Sequence, residues 1–552
     1  MDRFTSQIIR NSLFYASEEM GIALRNSAYS PNIKERMDHS TAIFDSKGEL
    51  IAQAEHIPVH LGSLPLGLKN TLSYFEKENI EIEENSMIIV NNPYIAGTHL
   101  NDVTLIRPVF YNNKIVAYST NKAHHSDVGG KVPGSISIDA KTIYEEGLII
   151  DPVFIMKKNE FQTDIIKIFS SNSRDKYERI GDLKAQVAAN LTGEKRILDI
   201  IKKYGIESFY QANQDSIDYA EIMFKKKLER IEKGNFCAED YLENFDGSDI
   251  KIKVKISIME NKIIVDYTGT DGQLEIPLNA VIGVTISGVY YVFRTLLGEN
   301  IPLNEGSFKL IEIYVPEGTI LNPRFPAPVA GGNVETSQRN ADVLFLAMSK
   351  SMPEIVPAAS GGSMNNVMIG GNYNKVWSFY ETVGVGLGAK KGKDGVDGIQ
   401  ANMTNTMNTP IEEIERKYPI LIKRYEFRKD SSGAGEFRGG SGLIRSYEIL
   451  ENNIIFTILS ERGRHRPWGL FGGLPGKATE IIVKKGNFVK KMSVKMTVEL
   501  NKNDFVEIRT AGGGGYGDTE KRNSEKIHYD LENNFISKAY YEKYYNKKSK
   551  NF

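Results

Sequence analysis

Residues 102–125, DVTLIRPVFYNNKIVAYSTNKAHH, contain two apolar runs of strand length joined through Tyr-Asn-Asn. Read as an antiparallel hairpin, this stretch constrains the chain strongly, because the length of its loop decides which side chains face each other. A two-residue turn at Asn112 and Asn113 sets Asp102 opposite Ala123. A three-residue loop, Asn112 to Lys114, sets Asp102 directly opposite His124. Opposed Cβ atoms on paired strands lie about 4.5–5.5 Å apart. His99 stands just before the first strand and can fold over the same end, so the three approach one another under either register.

The rest of the chain shows where that hairpin belongs. At 552 residues the sequence is too long for one ordinary core, and two to four domains are expected. Ile8, Leu13 or Phe14, Ala16, Met20 and Leu24 recur at helical spacing and predict an amphipathic helix from about Ser6 to Ser27. TAIFD and LIAQ flank the turn SKGE as short strands, and SMIIV reads as a buried strand. A helix is expected over Ile206 to Glu232, followed by a boundary near Lys233 to Asp246. A fresh β region then opens with IKIKVKISI and KIIVDYTGT, and a helix follows through 280–297. From about Tyr373 glycine-rich segments alternate with strands, and the last residues are polar and Lys-rich, suited to a short capping helix.

The fold class expected is α+β in several domains. Residues 1–235 form an N-terminal metal-binding region, 236–372 a middle α+β domain, 373–518 a glycine-rich, β-rich region and 519–552 a polar tail.

Charge excludes some functions. With 69 basic and 70 acidic side chains the formal net charge is −1, which argues against nucleic-acid binding as the main role. The single cysteine, Cys237, supports neither a disulfide nor a thiolate zinc cluster. With an N-terminus too polar for a secretory segment, it suggests a reducing cytoplasm. The most apolar window, residues 280–293, is too short to span a bilayer and is closed by Arg294, so no membrane span is expected.

Motifs for other chemistries fail on spacing. GVGLGAKKGKDG lacks the GxxxxGK[ST] pattern, and AGGGGYGD lacks both its lysine and its hydroxyl. Glycine here suits tight turns and close backbone packing instead. There is no GxSxG elbow, and Ser126 beside His125 is adjacency along a strand, where neighbours point to opposite faces.

Six of the eight histidines, His39, His56, His60, His99, His124 and His125, fall between residues 39 and 125, among nearby aspartates. Imidazole is the commonest metal side-chain ligand. Mixed imidazole and carboxylate donors suit Zn²⁺, Mn²⁺ or Fe²⁺ better than Mg²⁺ or Ca²⁺. The isolated His465 and His528 read as ordinary solvated or hydrogen-bonded side chains.

On these motifs the chain resembles the B-type subunit of the hydantoinase/5-oxoprolinase family, related to the metal-bearing subunit of acetone carboxylase. The resemblance runs in order through EEMGIALRNSAYSPNIKERMDHSTAIFD, HIPVHLGSLP, NNPYIAGTHLNDVTLIRPVF, AHHSDVGGKVPGS, GNVETSQRNADV, NMTNTMNTPIEEIE, GAGEFRGGSG and AGGGGYGD. It implies a divalent metal, zinc or manganese, held by Asp38, His99, Asp102 and His124, with His125 as an alternative ligand or a proton shuttle. It also implies a hetero-oligomer in which an A-type partner binds ATP and phosphorylates a cyclic amide, which this chain then helps to ring-open. Two other functions are carried beside that one: a subunit of an ATP-dependent ketone carboxylase, and a non-catalytic scaffold stabilised by its ion.

Overall fold

The computed structural model describes residues 2–54, 56–298, 300–373 and 375–546. Its contacts divide the chain into two compact units. The first comprises residues 1–234, 257–266 and 272–333, and the second 235–256, 267–271 and 334–552. Residues 236–372, expected as one middle domain, are thus shared between the two. Helices and several sheets occur together, as the α+β expectation requires.

The first unit opens with helix α1 (Arg3–Ser27), capped by the Asp2 carboxylate, which accepts the N–H groups of Phe4 and Thr5. Its buried stripe is Ile9, Leu13, Ala16, Met20 and Leu24. Ile8 and Phe14 face outward, so the helical phase is one residue off the one expected at Ile8. After the short helix α2 (Pro31–Lys34) come strands β1 (His39–Asp45) and β2 (Leu50–Gln53), helix α3 (His60–Lys77), strand β3 (Met87–Val90) and helix α4 (Pro93–Ala96). The hairpin follows as β4 (Asp102–Tyr111) and β5 (Lys114–His124), then β6 (Val153–Lys157) and β7 (Glu160–Phe161). Helices α5 (Thr163–Ser171), α6 (Lys176–Tyr204) and α7 (Ile206–Leu228) complete the run.

These seven strands form one antiparallel sheet in the order β2-β1-β5-β4-β3-β6-β7. Both faces are covered, which is why its central strands read as nearly unbroken apolar runs. On one face Leu64, Leu68 and Phe75 of α3 pack against Phe44, Ile88, Val90, Ile106 and Tyr118. On the other, Ile9, Leu13 and Met20 of α1, Ile197 and Ile201 of α6 and Phe209 of α7 pack against Ile43, Ile51, Val109 and Ala117. Each such side chain contributes about 1.5–3 kcal/mol on burial. No expectation covered α6. Many of its buried positions are small or polar, including Gly181, Ala185, Gln186, Ala189, Asn190 and Gly193, so its apolar stripe is faint in sequence.

Helix α8 (Ile282–Leu297), expected from its apolar window, fixes the start of α3. No side chain of α3's own N-terminal residue caps it. Ser287 of α8 does so instead, its Oγ accepting the N–H groups of Gly62 (3.0 Å) and Ser63 (3.1 Å). Glycines permit this crossing: a Cβ on Gly62 would lie 2.9 Å from the Ser287 nitrogen, and one on Gly283 would lie 2.4 Å from the Gly97 oxygen.

The second unit is built on two antiparallel sheets. One has four strands, in the order Lys375–Thr382, Asn366–Tyr373, Ile454–Leu459 and Lys495–Leu500. The other has five, in the order Ile420–Phe427, Leu443–Ile449, Phe505–Arg509, Glu480–Lys485 and Phe488–Met492. Their inner faces share one cluster that includes Val367, Phe379, Tyr447, Phe456 and Ile508. The glycine-rich segments pack backbone against backbone. A Cβ on Gly513 would lie 1.9 Å from the Leu387 oxygen, and one on Gly514 would lie 2.0 Å from the Trp468 oxygen. The polar C-terminal stretch forms two short helices, Ser524–Glu532 and Lys538–Tyr544, and packs Ile536, Tyr540 and Tyr545 against Ala434. Among the described residues no helix is long and apolar enough to cross a membrane.

Candidate metal centre

The hairpin turns at Asn112 and Asn113, which take φ of 51° and 59°. A two-residue turn with both central residues left-handed matches the twist of paired strands, and asparagine tolerates that conformation. Such a turn alone pairs Asp102 with Ala123. The register then slips by one residue between Val109 and Phe110, where Val116 is the extra residue. Beyond this bulge Asp102 lies opposite His124. The turn is therefore the shorter of the two considered, and the pairing is the one expected of the longer.

His99 enters from the turn between α4 and β4, which is made possible by Gly97 at φ 84°. Ligand atoms of His99, Asp102 and His124 all lie within 4.8 Å of one another, and all three side chains are buried. The rings of His99 and His124 are 4.9 Å apart between centroids. All three sit at one end of the central strands, on the face covered by α3.

The donor states suit a cation. His99 Nδ1 lies 3.3 Å from the Ala330 carbonyl, to which it donates. With Nδ1 so engaged, Nε2 is the nitrogen turned toward Asp102. His99 Nε2 is buried with no hydrogen-bond partner, and Asp102 Oδ1 faces it at 3.5 Å. An imidazole nitrogen and a carboxylate oxygen facing each other in a buried site are placed to share a cation. Burial raises the Asp102 pKa, but His99 and His60 outweigh it and hold the carboxyl well below its ordinary range. Burial, reinforced by His99, pushes His124 well below the ordinary imidazole value. A carboxylate and two imidazoles buried together are a donor set for Zn²⁺, Mn²⁺ or Fe²⁺, and the residues fit such an ion.

Asp38, just before β1, stands beside this group and outside the set of three. Its carbonyl accepts the His124 N–H (3.0 Å), and Asn32 Nδ2 lies 3.5 Å from its carboxylate and 2.9 Å from His124 Nδ1. Burial raises its pKa to about 7, Arg36 opposing and Asp102 adding to the rise.

His125 is not brought to the group. Successive side chains on a strand point to opposite faces, and His125 lies on the α6 side. There its Nε2 meets Gln186 Oε1 at 2.9 Å and its ring stands edge-on to Phe169. Burial, with Arg179 adding, takes its pKa down to about 4. The expected role as ligand or shuttle at this centre has no support in that placement.

Two further neighbours of Asp102 lie outside the four ligands that the resemblance implies. His60, the first residue of α3, reaches Asp102 Oδ2 at 3.4 Å through Nε2 and Ser40 Oγ at 2.9 Å through Nδ1. Its place in HIPVHLGSLP was the available signal. Asn333, 231 residues away, lies 3.5 Å from the same oxygen, and nothing in the sequence marks that proximity. Beneath the turn, buried Lys122 donates to the Ala96 carbonyl (2.7 Å) and to Thr98 Oγ1 (3.0 Å), its pKa taken down to about 8 by burial. His39 is buried edge-on to His56, and burial takes its pKa down to about 3. His56 in turn lies 3.6 Å from Glu18.

His465, at 2.7 Å from Asp249, and His528, at 3.0 Å from Glu532, form surface pairs, the ordinary role expected of them. Ser126 Oγ accepts a hydrogen bond from Arg179 at 2.9 Å.

Comparison with known proteins identifies the family. Residues 2–519 match the sequence pattern of the Hydantoinase B/oxoprolinase family. An uncharacterized protein of Methanocaldococcus jannaschii is 50% identical over 538 residues, covering 97% of this chain and 94% of that one. A 5-oxoprolinase of Saccharomyces cerevisiae is 38% identical over 531 residues, covering 90% of this chain and 40% of that protein. Among solved structures, the ATP-dependent caprolactamase from Pseudomonas jessenii superposes with a TM-score of 0.91 at 28% identity, covering 98% of this chain and 95% of that one. The chain belongs to the Hydantoinase B/oxoprolinase family.

Proposed function

We propose that this chain is the B-type subunit of an ATP-dependent enzyme that opens cyclic amides, with a divalent ion held by His99, Asp102 and His124 and with Asp38 as the fourth ligand. The observation that carries the reading is the buried group of His99, Asp102 and His124 in a chain of this family. Relatives and neighbours bear names of cyclic-amide enzymes, 5-oxoprolinase and ATP-dependent caprolactamase. The chain spans 40% of that 5-oxoprolinase, which supports an A-type partner supplying the ATP-binding half.

An amide resists water because its nitrogen lone pair is delocalised into the carbonyl, and phosphorylating the oxygen at the partner would remove that resonance, so that water adds to the carbon, the ring C–N bond breaks and the phosphate is released. A divalent ion held by His99, Asp102, His124 and Asp38 would supply Lewis acidity there. Zinc or manganese is the ion proposed. This chain's own residues keep the centre dry, hold His99 as the Nδ1–H tautomer through Ala330, and keep Asp102 ionised between His99 and His60.

The test is co-expression with an A-type partner and a turnover screen with ATP over 5-oxoproline, hydantoins, lactams and ketones with bicarbonate. Ring opening coupled to ATP hydrolysis is expected. His99→Ala and Asp102→Ala should abolish it while the partner retains partial ATP hydrolysis. Wild-type ring opening by both variants, or turnover confined to ketones, contradicts the reading.

A further inference from the structure

The segment 324–333 reaches the metal centre from far along the chain. It supplies the Ala330 carbonyl to His99 Nδ1 and places Asn333 beside Asp102. Its backbone is tied at several points. Tyr94 Oη donates to the Ala327 carbonyl (2.8 Å), Asn279 Nδ2 to the Pro328 carbonyl (2.9 Å), and the Gly332 N–H to the Pro277 carbonyl (2.9 Å).

The tie nearest His99 is a carboxyl. The N–H groups of Val329 and Ala330 both donate to Glu146, at 3.1 Å to Oε2 and 2.9 Å to Oε1. Glu146 is fully buried, and its two oxygens are met by backbone N–H groups rather than by a cationic side chain. A buried carboxyl without a counter-charge is costly unless both oxygens are used. Here both are used on two consecutive peptide groups, the second of which carries the carbonyl that orients His99. Gly147 follows at φ 148°, and a Cβ there would lie 2.9 Å from the Val128 oxygen, so the backbone presenting Glu146 is itself closely packed.

We propose that Glu146 is a positioning residue of the metal centre: by clamping the 329–330 peptides it sets the Ala330 carbonyl that keeps His99 Nε2 open to the ion. The proposal rests on the assignment of His99, Asp102 and His124 as metal ligands. The Ala330 carbonyl is the outer-shell partner of His99, and altering such partners changes metal affinity by roughly ten- to a hundredfold; Glu146 acts through it. In Glu146→Gln an amide N–H group faces one of the two backbone donors, so the clamp is half lost while the side-chain shape is kept.

Titration of the full chain with Co²⁺, read by its visible absorption, separates the outcomes. Wild type should give a saturable spectrum that His99→Ala loses. Glu146→Gln should bind Co²⁺ at least tenfold more weakly and with an altered spectrum, a readout that a merely structural role does not move. If Glu146→Gln does not fold, hydrogen exchange on the wild-type chain decides: Co²⁺ should slow exchange across residues 327–333. Unchanged affinity and spectrum in folded Glu146→Gln, or exchange at 327–333 indifferent to Co²⁺, overturns the proposal and leaves the metal assignment standing. Wild-type Co²⁺ binding by His99→Ala instead overturns the metal assignment, and this proposal with it.

Discussion

Gly283→Ala tests whether the turn carrying His99 is clamped by the packing of α8. A Cβ on Gly283 lies 2.4 Å from the Gly97 oxygen and 2.8 Å from its Cα. Real Cβ contacts stay beyond 3.0 Å, so helix and turn must part by at least 0.6 Å. The obstacle is backbone and is held from behind. A Cβ on Gly67 of α3 would lie 2.7 Å from the Ala96 oxygen, and Lys122 Nζ donates to that same oxygen at 2.7 Å. Overpacking of this kind costs about 1–3 kcal/mol. Alanine's helical preference returns at most about 1 kcal/mol, and less at the second residue of a helix.

The expected net loss is about 1–2 kcal/mol. Calorimetry should show the melting midpoint of the first unit falling by about 1.5–3 °C, at about 2.1 cal/mol/K of unfolding entropy per residue. Because His99 follows Gly97 by two residues, Co²⁺ affinity should fall as well. Gly272→Ala is the control, since its Cβ meets only the Gly318 oxygen, at 3.8 Å. A Gly283→Ala protein that melts with wild type and binds Co²⁺ equally well would refute the clamp.

Three further outcomes are expected. His125→Leu should leave Co²⁺ affinity unchanged but lower stability by about 1–3 kcal/mol, because Gln186 Oε1 loses its ring partner; calorimetry and titration on one sample check both. Burial raises Glu146 from 4.5 to about 8, against the opposing Ala330 and Val329 N–H groups. The native state therefore keeps a proton that the unfolded chain has lost, so this group's contribution to stability falls as pH rises from about 4.5 to about 8 and is level above. Urea unfolding across that range should show the slope in wild type and its reduction in Glu146→Gln. Asn112→Val puts a β-branched residue at φ 51°, where about 1–2 kcal/mol of strain is expected, read as a lower urea midpoint.

The sequence carried the centre further than its surroundings. The hairpin and its two registers could be enumerated from loop length, and the choice between them turned on a bulge at Val116 that no residue type announces. His99, Asp102 and His124 lie within 26 residues, so local strand geometry brought them together. His125 was separable by strand alternation alone: Asn121 and His125 both turn toward Gln186 of α6, whereas Lys122 turns toward Ser63 of α3. Ala330, Asn333 and Glu146 were not legible, because their approach depends on tertiary packing rather than on any periodic pattern. The same holds for α6, whose contacts rest on small and polar side chains and not on an apolar stripe.

The most direct test is anomalous diffraction from crystals of the full chain grown with Zn²⁺ and collected at the zinc edge. One peak in the first unit within about 2.0–2.2 Å of nitrogens of His99 and His124 and an oxygen of Asp102 is the predicted result. A peak held by other residues, or these three side chains ordered with no ion among them at saturating Zn²⁺, would contradict it.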